Sequence, residues 1–124
     1  MPRIYGRILM NLRASLGVSQ VEIATWAGLQ QATVSNLERA GTILAMFHLD
    51  LFAVALSDIA HDRGQPPPCT TGWEIAQLAT NIGTRFEGEG YTQVWAVRSW
   101  DLDKVVPNEV FDRLMSRYWR EEGR

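Results

Sequence analysis

The stretch from Gln20 to Leu37 constrains the fold of this chain more than any other part of the sequence. Two helices that are joined by a tight turn and cross at a steep angle need a small residue where they approach. They also need a glycine in the turn and branched apolar residues on the second helix. Ala24 supplies the small residue and Gly28 the glycine, and Val34 is followed at helical spacing by Leu37. The spacing therefore predicts two short helices packed on each other across a turn at Gly28.

Helical signals also surround this pair. Before it, apolar residues recur at helical spacing from Ile4 to Leu16, and Gly17 ends that helix because glycine tolerates a positive φ. Ser19 and Glu22 have the spacing of a capping box, in which each side chain satisfies the other's backbone amide, so the next helix begins there. After the pair, residues 43–56 are apolar almost throughout, which predicts one or two buried helices.

Three consecutive prolines at 66–68 follow Gly64 and Gln65 and rule out a helix at that point. We therefore place a linker at residues 64–68, between a first segment of residues 1–63 and a second segment of residues 69–124. Each segment has about 60 residues, which is marginal for a stable core, so the two segments are expected to dock or to oligomerise.

The second segment is predicted to be mostly helical with a possible short β element. Thr71 and Glu74 form a second possible capping box, ahead of apolar residues at helical spacing. Residues 91–100 are rich in β-branched and aromatic side chains, which favours a short strand. Pro107 suits the first turn of a last helix. That helix carries a wide apolar stripe that needs a partner: Val110, Phe111, Leu114, Met115, Tyr118 and Trp119.

Composition and charge exclude several classes of protein. With 46% hydrophobic and 21% charged residues among 124, the chain is typical of a globular domain rather than a disordered or fibrous one. It has no apolar run of roughly 18 residues, and residues 1–10 lack the features of a secretory signal, so a soluble cytoplasmic protein is expected. Cys69 is the only cysteine and is expected to be an unreactive thiol. The chain contains only two histidines in addition to this cysteine, so no structural metal site and no cofactor are expected.

In combination, the residues of the first segment resemble the lambda-repressor-like helix-turn-helix family of bacterial and phage regulators, also called the XRE family. The resemblance covers about residues 3–60. It implies a mainly α fold in which a five-helix DNA-binding bundle precedes the second segment. It also implies a sequence-specific transcriptional regulator, a repressor, that binds a pseudo-palindromic double-stranded operator as a homodimer. The matching positions are Leu12-Arg13, Leu16-Gly17-Val18-Ser19-Gln20, Ile23-Ala24, Ala27-Gly28, Val34-Ser35 and Leu37-Glu38-Arg39.

The resemblance also implies roles for single residues, with the helix from Gln31 to Arg39 entering the major groove. Amide side chains bond adenine in a bidentate way and methyl groups contact thymine. Phosphate contacts fix the register of the protein without reading sequence. In this family an arginine and a glutamate commonly pair between the first and third helices, here Arg13 and Glu38. The expected base-reading residues are Gln31, Ala32, Thr33 and Asn36, and the expected phosphate contacts are Gln20, Ser35, Arg39 and Thr42.

Two features depart from the family. Many relatives carry basic residues and a proline after the recognition helix, whereas residues 41–47 are neutral and apolar here. Residues 1–39 carry four arginines and two glutamates, a local charge of only +2, so two copies are expected to share the binding of DNA. Trp26 stands where the family is usually polar, and we expect the second segment or a second subunit to cover it. The expected interface residues are Trp26, Phe111, Met115, Tyr118 and Trp119.

The sequence leaves three alternatives to a dimeric regulator. One is a protein-interaction module, such as an antitoxin, whose carboxy-terminal helix binds a partner protein. Another concerns the aromatic residues of the second segment, which could form a pocket for a small effector instead of a dimer interface. The third is a self-cleaving serine-lysine peptidase, because Ala40-Gly41 is the kind of dipeptide that such domains cut. The only lysine is Lys104 and the nearest upstream serine is Ser99, in a segment too short for that fold, so no enzyme is expected.

Overall fold

A computed structural model of the protein describes residues 3–39, 46–91 and 101–115. The regular structure within these ranges is entirely helical, in agreement with the predicted mainly α class. Thr42, Tyr118 and Trp119, with most of the predicted strand at 91–100, lie outside the described residues. The helices are α1 (Arg3–Ser15), α2 (Gln20–Ala27), α3 (Gln31–Arg39), α4 (Met46–Asp62), α5 (Gly72–Gly88), α6 (Leu102–Val105) and α7 (Asn108–Met115).

The boundaries of α1 and α2 confirm the local predictions. Gly17 follows α1 with a φ of +66°, in the left-handed region that glycine adopts at no steric cost. At the start of α2, the Ser19 hydroxyl accepts from the amide of Glu22, and the Glu22 carboxylate accepts from the amide of Ser19. Gly28 ends α2 with a φ of +71° and donates its amide to the carbonyl of Ala24. The turn between α2 and α3 is therefore built as the spacing predicts.

The apolar run after α3 forms a single 17-residue helix within the described residues, α4. Residues 1–63 thus show four helices over the described ranges, where the resemblance implies five. No glycine or proline interrupts residues 46–62, so nothing ends the helix before Gly64, which has a φ of +66°. The expected burial of the run is wrong at Phe47 and Val54, which are 65% and 51% exposed.

After the proline linker, α5 begins at a cap that only half matches the predicted capping box. The Thr71 hydroxyl accepts from the amide of Glu74 as predicted, but the Glu74 carboxylate accepts from the hydroxyl and amide of Thr70. The amide of Gly72 donates to the Asp50 carboxylate at 2.8 Å, which joins the first turn of α5 to α4.

The two segments on either side of the linker share one continuous hydrophobic core. Helix α5 packs on α4 and on α1, so the second segment is docked on the first. Phe86 of α5 meets Phe111 of α7 with ring centroids 5.7 Å apart. Arg7 of α1 donates to Asn108 at 2.6 Å and lies over the Phe111 ring. Among the described helices, none is long and apolar enough to cross a membrane.

This docking corrects one part of the predicted interface. Phe111 is only 1% exposed because it packs between α5 and Arg7 within its own chain, so it is not free to contact a second subunit. The description of α7 ends at Met115, whose side chain is not part of it. Trp26 is 49% exposed, and its expected cover by the second segment or by a second subunit stays a prediction.

Candidate nucleic-acid interface

Helix α3 divides into a buried face and a solvent face. Val34, Leu37 and Glu38 are buried against the rest of the subunit. The other positions form one continuous outward surface, because residues three and four apart lie on the same side of a helix. This surface carries exposed Gln31, Ala32, Asn36 and Arg39, with half-buried Ser35 between Gln31 and Arg39 and half-buried Thr33 at the edge. All six α3 residues that are predicted to contact DNA thus lie on the accessible side of the helix.

The buried end of α3 is anchored by a bidentate ion pair. Arg13 of α1 donates from Nε to Glu38 Oε2 at 2.6 Å and from Nη2 to Glu38 Oε1 at 2.9 Å. It also donates from Nη1 to the carbonyl of Val18 at 2.8 Å. The side chain of Glu38 is 1% exposed, and its hydrogen bonds raise the pKa of the Arg13 guanidinium. The pair ties α1 to α3 and turns the acidic group of α3 away from the outward surface.

A chain of side-chain amides runs from this ion pair to the surface. Gln20 donates its Nε2 to Glu38 Oε1 at 3.1 Å, and Gln31 donates its Nε2 to Gln20 Oε1 at 3.3 Å. A carboxylate only accepts hydrogen bonds, so the Glu38 contact fixes which end of the Gln20 amide faces inward. The orientation of Gln20 then fixes that of Gln31. Within the described residues, no hydrogen bond engages the carbonyl oxygen of Gln31 or the second hydrogen of its Nε2.

The amino end of α2 is held by a residue that the sequence analysis missed. Arg63, one residue past α4, donates to the carbonyl of Leu16 at 2.7 Å and to the carboxylate of Glu22 at 2.7 Å. The sequence shows a basic residue at the end of a helix. It does not show the partners of that residue, which lie 47 and 41 residues away along the chain. Glu22 and Glu38 are the only acidic residues of α2 and α3, and each forms an ion pair with an arginine.

No protein-family model, curated protein or solved structure matches this chain. The resemblance to helix-turn-helix regulators therefore rests on the motif residues alone and stays a prediction. Within the described ranges, no group of three or more His, Cys, Asp or Glu side chains is placed to hold a metal ion.

Proposed function

We propose that this protein is a sequence-specific double-stranded DNA-binding regulator of transcription, with α3 as its recognition helix. The observation that carries the proposal is the orientation of Gln31 by Gln20 and Glu38 on an otherwise exposed polar helix face. A glutamine on a plain solvated helix has no need of a fixed amide. A glutamine that reads a base gains from being oriented in advance, because less side-chain entropy is then lost on binding.

The side chains on this face have the chemistry of direct readout. The free carbonyl oxygen and N–H of Gln31 match the N6 donor and N7 acceptor of adenine, and Asn36 offers the same pair of groups. The methyl group of Ala32, and that of Thr33 at the edge, suit contact with the thymine methyl. Toward the other end of the helix, Ser35 and Arg39 are positioned for phosphates, as is Gln20 at the start of α2.

Electrostatics support the same surface. The whole chain has a formal net charge of −2, which opposes binding to DNA in general. The outward face of α3 nevertheless carries no carboxylate, since Glu38 points inward to Arg13. Glu22, at the neighbouring end of α2, is paired with Arg63. A locally acid-free surface on an acidic protein favours a defined DNA contact over general adhesion to nucleic acid. We propose that the protein represses by occupying its operator.

Selection of bound duplexes from a random pool tests the proposal. We expect enrichment of a pseudo-palindromic sequence whose half-sites are about one helical turn apart. Gln31→Ala should relax preference at one or two base positions and cost roughly 1–3 kcal/mol on the selected site. Gln77→Ala is the matched control, because Gln77 is an exposed glutamine on α5. Equal losses on selected and random duplex for Gln31→Ala would contradict its reading role.

Arg39→Ala separates phosphate binding from base reading. Loss of one phosphate contact should weaken binding to all duplexes alike and reduce the slope of log K against log salt by about one unit. A change in base preference instead would mean that Arg39 reads sequence. If the wild-type protein binds neither selected nor random duplex at low salt, the proposal fails. A protein-interaction module then becomes the better proposal for the function.

A further inference from the structure

Helix α4 presents one face to solvent along its length. The exposed residues of the helix recur at spacings of three and four, which places them on one side. The opposite side is buried against α2 and α5. At 1.5 Å per residue, the solvent face runs for about 22 Å. We call this face the α4 stripe, and its residues are Phe47, Asp50, Leu51, Val54, Asp58 and Asp62.

The amino-terminal half of the stripe is apolar. Phe47 and Val54 are 65% and 51% exposed, and half-buried Leu51 lies between them. Apolar side chains at i, i+4 and i+7 are the pattern by which one helix packs on another. Phe47 and Val54 present on the order of 200 Å² of apolar surface, whereas a standard interface covers about 800 Å² on each partner. Apolar contact is thus too small to hold a partner alone, and charge has to contribute.

The carboxy-terminal half of the stripe is acidic and lacks a counter-charge. Within the described residues, neither Asp58 nor Asp62 forms an ion pair or a hydrogen bond. Helix α4 contains no lysine or arginine, and His61 is the other exposed residue of this half. Arg63, just beyond the helix, is already paired with Glu22 of α2. The carbonyl end of α4 adds to the negative potential, so this half of the stripe attracts a cation.

Charge complementarity between the two halves and a partner selects the occupant. Anionic lipid and nucleic acid are repelled by the unpaired carboxylates, and so is a second copy of the stripe. The described residues offer no sheet edge to which an extended peptide could add, so the partner element is a helix. We propose that the α4 stripe binds an amphipathic helix of a partner protein, whose apolar residues contact Phe47, Leu51 and Val54 and whose lysine or arginine residues pair with Asp58 and Asp62.

The complex should be weak and sensitive to salt. Exposed ion pairs contribute little each, and salt screens them. With the small apolar area, this implies a dissociation constant in the micromolar range, on the order of 10 μM, that rises severalfold between about 50 and about 300 mM salt. The surface lies on a different helix from the proposed recognition helix α3, so this binding goes beyond the proposed function and does not depend on it.

Panning of displayed helical peptides against the full chain tests the proposal without DNA. In a library of helices of about 18 residues, one face is randomised among leucine, alanine, glutamine, lysine and glutamate. We expect enrichment of leucine at i, i+4 and i+7 with lysine on the adjoining turns. The double variant Asp58→Lys with Asp62→Lys should enrich glutamate instead of lysine. Asp112→Lys is the matched control, because Asp112 is an exposed aspartate of α7 without an ion pair, and it should enrich the same peptides as the wild type.

Two outcomes of the panning overturn the proposal. One is that the wild type enriches no peptide, or enriches peptides without an excess of lysine over glutamate. The other is that the double variant keeps the preference of the wild type for lysine, because the selected charge then does not pair with Asp58 and Asp62.

Fluorescence anisotropy with the best selected peptide tests the apolar half. Val54→Gln should raise the dissociation constant at least about threefold. Val21→Gln is the matched control, because Val21 is 56% exposed on α2, and it should bind like the wild type. Circular dichroism and thermal unfolding should show both variants to be folded. Equal losses for the two variants would overturn the proposal, and so would a wild-type dimer in sedimentation that Val54→Gln dissociates, because a second copy would then cover the stripe.

Discussion

Replacing Arg13 by methionine should destabilise the protein more than replacing Glu38 by glutamine. Glu38 is 1% exposed, so the loss of Arg13 removes a bidentate positive partner from a buried carboxylate. Breaking a buried ion pair from one side costs about 3–5 kcal/mol, and the retained hydrogen bond from Gln20 argues for the lower end, about 3 kcal/mol. Glu38→Gln removes the charge that is buried and leaves Arg13, which is 18% exposed, in contact with water. The Glu38→Gln substitution should lower the free energy of unfolding by about 1–2 kcal/mol.

Urea unfolding at neutral pH, followed by tryptophan fluorescence, measures both costs on one scale. A domain of this size is stable by about 5–15 kcal/mol, so both variants should still fold. The double variant Arg13→Met with Glu38→Leu removes both charges and should recover most of the loss seen with Arg13→Met alone. If Glu38→Gln proves more harmful than Arg13→Met, the asymmetry in burial does not control the energetics of the pair, and the reasoning is refuted.

Two further predictions concern the second segment. A Cβ on Gly72 would lie 2.7 Å from the amide nitrogen of Asp50 and 2.9 Å from the carbonyl carbon of Leu49, so Gly72→Ala should lower stability by about 1–3 kcal/mol. Gly88→Ala meets open space and should be neutral or slightly stabilising in the same denaturation assay; equal effects would contradict the close approach at Gly72. Burial raises the pKa of the Cys69 thiol from 9.0 to about 12, with the nearby Glu74 adding to the shift. Since the folded state retains this proton more tightly, stability should be unaffected below pH 9 and fall as the pH rises toward 12. The loss attributable to Cys69 should be roughly 2 kcal/mol by pH 10.5, and the same pH series on Cys69→Ala should lack it.

The sequence predicts the local parts of this fold well. The capping box of Ser19 and Glu22 and the left-handed Gly28 involve residues within a few positions of each other, where a few hydrogen bonds decide the backbone. The ion pair of Arg13 with Glu38 spans 25 residues and was visible only through the resemblance to a known family. In the structure, its position follows from the packing of α1 on α3.

The remaining features depend on contacts that no local pattern contains. Phe111 belongs to an apolar stripe that could lie either in a subunit interface or in the core of its own chain. It is buried in the core because α7 docks against Arg7 and Phe86. The apolar run of α4 is longer than the core can cover, which leaves Phe47 and Val54 in solvent.

The base-reading and phosphate roles of α3 and the dimer itself remain predictions. A single subunit shows which side chains are accessible, but affinity for a duplex and for a second copy depends on surfaces that only the complex brings together.

The contact of Arg7 with Asn108 and Phe111 limits how this protein can be divided for protein engineering. A DNA-reading module that folds alone can be cut at its linker and fused to another effector. Here α1 is joined to α3 through Arg13 and to α7 through Arg7. Cutting the chain at the prolines would expose apolar residues of α1, the helix whose Arg13 also anchors α3. Fusions that use the proposed recognition helix should therefore include residues up to at least 115.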